Sequence, residues 1–545
     1  MRLPLRRLRA LREATQVRST SGDEGPSKEE DIRLLTPRVP EGFVEIERYW
    51  IEEPYSMVQI LLNERTKVKK YCLLEPPMSP FEYTLLERLF NDLQELVGKE
   101  EVGESIEERE EFLERKVRDL LRWYGLDVDE RGMLKLLYYL KRNFLREGKI
   151  TALLKDDYIE DISCTAPNSP IFLYHRVHHS IETNISFEEE ELDAFVMRLC
   201  QRSGRHISYA KPLVDATMPD GSRLQATLGR VVTSRGSSFT IRRFREEPIT
   251  PVHLMKYGTV SPDILVYLWL AIENKKSLIF LGGTATGKTS ILNAVSLFIP
   301  PTAKIVSIED TREVRLHHPN WIASVTKEGI KGEGTVTMFD LLKAALRQRP
   351  EYILVGEVRG VEAITLFQAM STGHATYSTM HADSVQSAIN RLESDPINLP
   401  HIMLDALHGF CIQQIVYKGD ERLRRTKVLV ELTGIDPHMG RIRINEVFRW
   451  NPYDDSFEMS SPEMYRIIMR ERGWSEGELK RELSDRKALL TALLERDVRD
   501  YRVLSEVFHR YYLDKERVMS TYVEHEEHEE HEEHEEHEEH EEHEV

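Results

Sequence analysis

Residues 277–290, SLIFLGGTATGKTS, constrain this chain more tightly than any other stretch. An apolar strand-like run, SLIFL, leads into Gly282, four intervening residues and Gly287-Lys288-Thr289, after which ILNAVSLF reads as a helix. A strand, a glycine-bearing loop and a helix in that order belong to an α/β fold with a parallel sheet. The residue types have separate tasks: the glycines let backbone N–H groups wrap a polyphosphate, Lys288 neutralises β and γ oxygens, and Thr289 ligates Mg²⁺. The run Gly282, Gly283, Thr284, Ala285, Thr286, Gly287, Lys288, Thr289 and Ser290 is therefore expected to line the phosphates of ATP.

Three later apolar runs end on polar residues. AKIVSI at 303–308 is followed by Glu309 and Asp310, with Glu313 close behind; YILV at 352–355 by Gly356 and Glu357; ATYSTM at 375–380 by His381. In an open parallel sheet ligands sit beyond the carboxyl ends of the strands, the edge that carries the phosphate loop. These groups are thus expected to converge on one site. Hydrolysis needs a Mg²⁺ anchor and a group that orients water. Glu357 suits Mg²⁺ through a water, Glu309 and Glu313 compete for the attacking water, and His381 suits sensing of the γ-phosphate.

His374 and His381 invite a metal reading, and their spacing argues against it. As a strand, TGHATYSTMHAD puts them about 23 Å apart on opposite faces. As a helix it puts them about 10 Å apart along the axis. One ion cannot hold both in either case, and Thr376, Tyr377, Ser378 and Thr379 favour the strand.

The net charge of −19 looks strongly acidic, but residues 524–545 hold fourteen Glu and no Lys or Arg. Removing that tail leaves −5, so the charge of the body argues for neither nucleic-acid nor membrane affinity. Cys72, Cys164, Cys200 and Cys411 stand far apart without a CxxC pair, which fits reduced, buried thiols in a cytosol and no zinc framework. Apolar stretches such as LVYLWLAI at 265–272 are too short to span a membrane, so any membrane association is expected to be peripheral.

A length of 545 residues suits three or four folded units. We expect a disordered basic and polar N-terminus over 1–35, a mixed and helical region over 36–150 and a compact α/β domain over 151–248. A proline-rich linker at 249–263, the phosphate-loop α/β domain at 264–460, a helical segment at 461–522 and a solvated His/Glu tail at 523–545 would follow.

GGTATGKTS, IEDTRE, RQRPEYILVGEVRG and TGHATYSTMHADS resemble the Walker A, Asp box, Walker B and His box of the secretion ATPases that drive type II secretion, type IV pilus assembly and the archaellum. The resemblance reaches back through GRHISYAKPLVDATMPDGSRLQATL and covers roughly residues 40–450. A paired CxxC zinc module is missing after the His box, which makes the chain similar to the archaeal-type branch. The resemblance implies a RecA-like P-loop NTPase motor domain, a smaller PAS-like α/β N-terminal domain and a homohexamer. It implies Glu313 as the catalytic glutamate, Glu357 as the Walker B acid, and His374 with His381 as the His-box pair. His374 is therefore counted with the nucleotide-binding set, although its place at the far end of the strand suits a brace.

Arg223, Arg230, Arg242 and Arg243 of the smaller lobe are candidates for reaching the γ-phosphate, since a planar guanidinium grips phosphate oxygens in two places. Arg347, Arg349 and Arg359 flank the Walker B strand and suit subunit contacts equally well. The expected activity is ATP hydrolysis on the inner face of the cell membrane, through a polytopic platform protein, to assemble pilin-like subunits or export protein. A nucleic-acid translocase and a small-molecule kinase are the rivals; the near-neutral body speaks against the first, and the Asp and His boxes against the second.

Overall fold

Among the described residues two nine-stranded sheets organise the chain, which parts into two units between Phe244 and Arg245. The computed structural model describes residues 34–97, 105–244, 247–327, 334–419, 421–436 and 441–523. The expectations for the basic N-terminus and the His/Glu tail fall almost wholly outside these residues. At the inner edge of the first, however, Leu34 and Leu35 are buried.

In the first unit the strands are β1 (Phe43–Glu52), β2 (Ser56–Asn63), β3 (Lys69–Leu74), β4 (Ile159–Cys164), β5 (Phe172–His175), β6 (His179–Thr183), β7 (Leu213–Thr217), β8 (Arg223–Thr227) and β9 (Ser238–Arg242). They run in the order β1-β2-β3-β6-β5-β4-β9-β8-β7. Burial alternates along β7 and β9, as a sheet with one covered face requires. The cover is the helix Glu189–Arg202, whose Leu192, Phe195, Val196 and Leu199 recur at helical spacing. This is the smaller PAS-like α/β element.

The first sheet runs across the boundary expected at residue 150. β3 pairs in parallel with β6, through Lys70 opposite Glu182 and Tyr71 opposite Thr183, so β1–β3 extend the same sheet. Beside it, the helices Pro80–Val97, Ile106–Tyr124 and Glu130–Phe144 share their own core around Leu89, Val117 and Leu136.

The second unit contains β10 (Leu278–Gly282), β11 (Ile305–Glu309), β12 (Trp321–Val325), β13 (Tyr352–Val355), β14 (Ala375–Met380), β15 (Gly409–Lys418), β16 (Glu421–Ile435), β17 (Ile442–Asn451) and β18 (Ser456–Met459). Their order is β12-β11-β13-β14-β10-β15-β16-β17-β18. The six strands from β12 to β15 are parallel and the rest antiparallel. β14 stands between the phosphate-loop strand β10 and the acid-ended strand β13, the arrangement of a RecA-like motor. β10, β11, β13 and β14 are buried throughout because both faces are covered. Along β10 the period of two sends Leu278 and Phe280 into one core and Ile279 and Leu281 into the other.

The proline-rich stretch expected as a linker at 249–263 carries helix starts. Pro251 opens the helix Pro251–Lys256 and Pro262 opens the helix Pro262–Glu273, with Thr250 and Ser261 as their N-caps. Proline is favoured in a first helical turn, where its missing N–H costs nothing. The C-terminal helices also belong to the motor core. Trp269 stacks on Phe298 at 4.9 Å, meets Phe508 and Tyr511, and donates its indole N–H to the Tyr512 hydroxyl at 2.8 Å. Fully buried Arg486 packs over the Trp269 ring and pairs with Glu273 at 2.6 Å.

Candidate nucleotide site

The phosphate loop joins the end of β10 to the helix Lys288–Val295. Gly282 lies at φ +152°, and a Cβ there would sit 2.5 Å from both the Gln413 carbonyl and the Thr286 hydroxyl, so no side chain fits. Gly287 begins the helix at φ +95°, in the left-handed region. Ala285 also holds a left-handed φ, of +60°. Within the loop the Thr286 hydroxyl donates to the Gly283 carbonyl at 3.0 Å, and Lys288 Nζ donates to the same oxygen at 2.7 Å. The lysine is buried although it carries charge.

Lys288 Nζ also lies 3.4 Å from His381 Nδ1, and His381 Nε2 lies 3.6 Å from Glu357 Oε1. Glu357 Oε2 accepts from Arg359 at 2.6 Å, and Arg359 reaches Asp310 at 3.8 Å. The carboxyl ends of β10, β11, β13 and β14 thus meet in a chain of polar contacts that runs from Lys288 through His381, Glu357 and Arg359 to Asp310. Burial, joined by the positive charge of Lys288, holds the His381 ring below its ordinary pKa. Burial alone would raise the Glu357 carboxyl, but the Arg359 bond and the nearby cations leave it lowered, and so ionised.

Glu309 and Glu313, equivalent in the sequence, have different surroundings. Glu309 is 2% exposed, and its Oε1 accepts the backbone N–H groups of Glu313 and Val314, both at 2.9 Å. Its Oε2 is buried without a partner among the described residues. Burial pushes this carboxyl up to about 7 against the pull of the two N–H groups. Gly356 makes room for it, since a Cβ there would stand 3.2 Å from Glu309 Cγ. Glu313 is exposed, and its segment is tied a second time where the Arg315 N–H donates to Asn293 at 3.0 Å. Glu309 therefore shapes the segment that presents Glu313.

His374 is not brought to this edge. It immediately precedes β14, where its Nδ1 lies 3.1 Å from the Thr372 hydroxyl and 3.2 Å from the Ala369 carbonyl, at the end of the helix Glu362–Ser371. The length of β14, about 20 Å, separates it from His381. Within this chain its contacts are those of a brace on that helix end, as its place at the far end of the strand suits.

Arg223, Arg230, Arg242 and Arg243 all lie in the first unit. Arg223 stands opposite Arg242 in the β8–β9 register, Arg242 reaches Asp161 at 3.6 Å, and Arg230 pairs with Glu189 at 2.9 Å. Arg243 donates to the Ile159 carbonyl at 3.1 Å. Of the arginines flanking β13, Arg359 joins the site and Arg347 ends the helix Met338–Arg347. Two contributors escaped the sequence reading. Asn293 was detectable, since it follows Thr289 by four positions on one helix face. Arg424, whose Nε donates to the Ala285 carbonyl at 3.0 Å, has no local signature.

Among the described residues no three His, Cys, Asp or Glu side chains gather as a metal-holding group; the donors that the cation of a bound nucleotide would meet are the Thr289 hydroxyl and the Glu357 carboxylate, both oxygen. Such a set fits a hard cation such as Mg²⁺.

Comparison with known proteins accords with this geometry. The family model described as type II/IV secretion system protein matches residues 147–491. Models described as PilB3-like match residues 6–77 at the N-terminal side and 454–531 at the C-terminal side. An uncharacterized protein of Methanocaldococcus jannaschii is 35% identical over 520 residues, covering 89% of this chain and 94% of its own length. The type IV secretion system protein PtlH of Bordetella pertussis is 33% identical over 229 residues, 37% of this chain and 67% of that protein. The X-ray structure of the Legionella pneumophila ATPase DotB shares 21% identity over 52% of this chain and 78% of that one, with a TM-score of 0.37. With its family match over residues 147–491, more than half of the chain, and its RecA-like order of strands, the chain belongs to the type II/IV secretion system protein family.

Proposed function

We propose that this chain is an ATP-hydrolysing motor that acts as a homohexamer and powers filament assembly or protein export through a polytopic membrane platform protein. The observation that carries the proposal is the meeting of the phosphate-loop lysine with His381 and Glu357 at one sheet edge, with the Glu313 segment tied by its backbone to Glu309 and Asn293. In the described geometry Lys288 rests on the Gly283 carbonyl, and it exchanges that oxygen for the β and γ oxygens of ATP. Thr289 and Glu357 would hold Mg²⁺, which supplies positive charge to the β and γ oxygens. Exposed Glu313, on a segment fixed by Glu309 and Asn293, orients the attacking water. His381 donates to the γ-phosphate and loses that bond after hydrolysis. Arg223, Arg230 and Arg242 are the candidates for phosphate contact from the smaller domain.

No helix among the described residues is long and apolar enough to cross a membrane. We place the motor on the cytoplasmic side, peripherally attached, with pilin-like or secreted proteins as indirect substrates. The test is phosphate release from MgATP by the full chain, with and without Glu313→Gln. Free phosphate that disappears in the variant supports the motor reading. Stimulation by DNA would favour a translocase, and a phosphorylated product in place of free phosphate would favour a kinase.

A further inference from the structure

The hairpin β15–β16 is built onto the phosphate loop. At its base the Gln413 carbonyl fills the space a Cβ would need at Gly282, where the β15–β16 register also shifts. Successive residues of β16 point to opposite faces, so Arg424 and Arg425 part company. Arg425, 5% exposed, binds both carboxylate oxygens of Asp455, at 2.7 and 2.8 Å, and donates to the Tyr257 carbonyl at 2.9 Å. Gly258 leaves room for that guanidinium. This anchor fixes the strand and turns Arg424 the other way. The Arg424 stem lies 3.4 Å from where a Gly287 Cβ would stand, and its Nε donates to the Ala285 carbonyl at 3.0 Å. No carboxylate pairs with Arg424 among the described residues, so its bond to the loop is not incidental to a salt bridge.

Ala285 is the loop residue that needs such a hold. An alanine at φ +60° is disfavoured relative to the right-handed region, and glycine would carry no such penalty. A trans peptide places its C=O and N–H on opposite sides. Gripping the Ala285 oxygen therefore directs the Thr286 N–H away from Arg424. We propose that Arg424 is a positioning residue for nucleotide binding: through the Ala285 carbonyl it holds the peptide between residues 285 and 286 so that the Thr286 N–H faces the phosphates. The inference rests on the ATPase reading and adds to it a residue from outside the four sequence motifs.

A clamp on the loop acts before the γ-phosphate is distinguished. Arg424→Ala is therefore expected to weaken MgATP and MgADP by a similar factor, about tenfold, the scale of one charge-assisted hydrogen bond. It raises KM for ATP while kcat stays within about twofold. Ala285→Gly removes the backbone penalty, so in the Arg424→Ala background it regains part of the lost affinity, a larger change than the same substitution makes in the native chain. Titration of the full chain with fluorescent ATP and ADP analogues, with Tm recorded for each variant, reads these effects. If Arg424→Ala fails to fold, Arg424→Lys replaces it, with a loss of about threefold that is again equal for both nucleotides. Unchanged affinity, a loss confined to ATP, or additive effects of the two substitutions would overturn the clamp. A wild-type chain that binds neither nucleotide would overturn the ATPase reading itself, and Lys288→Ala provides the non-binding control.

Discussion

Replacing Glu309 by Gln isolates the energetic consequence of burying one carboxyl beside the phosphate loop. The amide oxygen can still accept the N–H groups of Glu313 and Val314, so the segment keeps its shape. What disappears is the charge. The Glu309 carboxyl is raised from its ordinary 4.5 to about 7, so at 1.36 kcal/mol per tenfold its full ionisation costs the fold about 3 kcal/mol. For a group whose folded pKa is raised, the stabilising contribution is complete below 4.5 and is lost as pH rises through 7. About 2 kcal/mol of that loss falls between pH 5.5 and 8. Glutamine is neutral at both, so the stability of the variant relative to the native chain should rise by about that amount. For a unit of this size the difference in Tm should shift by about 4 °C. Thermal melts of both proteins at the two pH values, following the transition of the motor unit, measure it, and other titrating groups cancel in the comparison. A difference in Tm independent of pH would refute the buried-carboxyl argument.

Glu313→Gln should lower kcat about 100-fold or more with nucleotide affinity retained, as measured by phosphate release and analogue binding; normal turnover would move the water-orienting role to Glu309. His381→Ala should cut the preference for ATP over ADP about tenfold, whereas an equal loss for both nucleotides would remove its sensing role. Arg425→Met breaks the pair with Asp455, whose carboxyl the guanidinium holds down to about 2. The variant should lose about 2 kcal/mol in denaturant melts at pH 7, and the native chain should keep that contribution above pH 4 and lose it as the pH falls toward 2.

The motor site was legible where its parts are local. One strand, one loop and one helix opening lie within residues 277–290, and the acids and His381 follow directly on apolar runs. The seven-residue spacing already separated the two histidines, and the structure places them at opposite ends of β14. Features that depend on distant pairing were not legible. Lys70 meets Glu182 across more than a hundred residues, so nothing near β3 announces that it extends the second sheet segment. The prolines at 251 and 262 suit a linker and a helix start equally, and only the caps at Thr250 and Ser261 decide between them. The distinct duties of Glu309 and Glu313 depend on burial, which two acids four positions apart do not reveal.

The seat of Trp269 also bears on how this protein is made. Its hydrogen-bond partner Tyr512 follows 243 residues later in the chain. At 5–20 residues per second a ribosome needs roughly 12–50 s to synthesise that interval. Throughout it the helix Pro262–Glu273, nine of whose residues end up buried, lacks its final cover. A chain stalled or truncated before its last helices would display apolar surface beside a phosphate loop whose sequence is already complete.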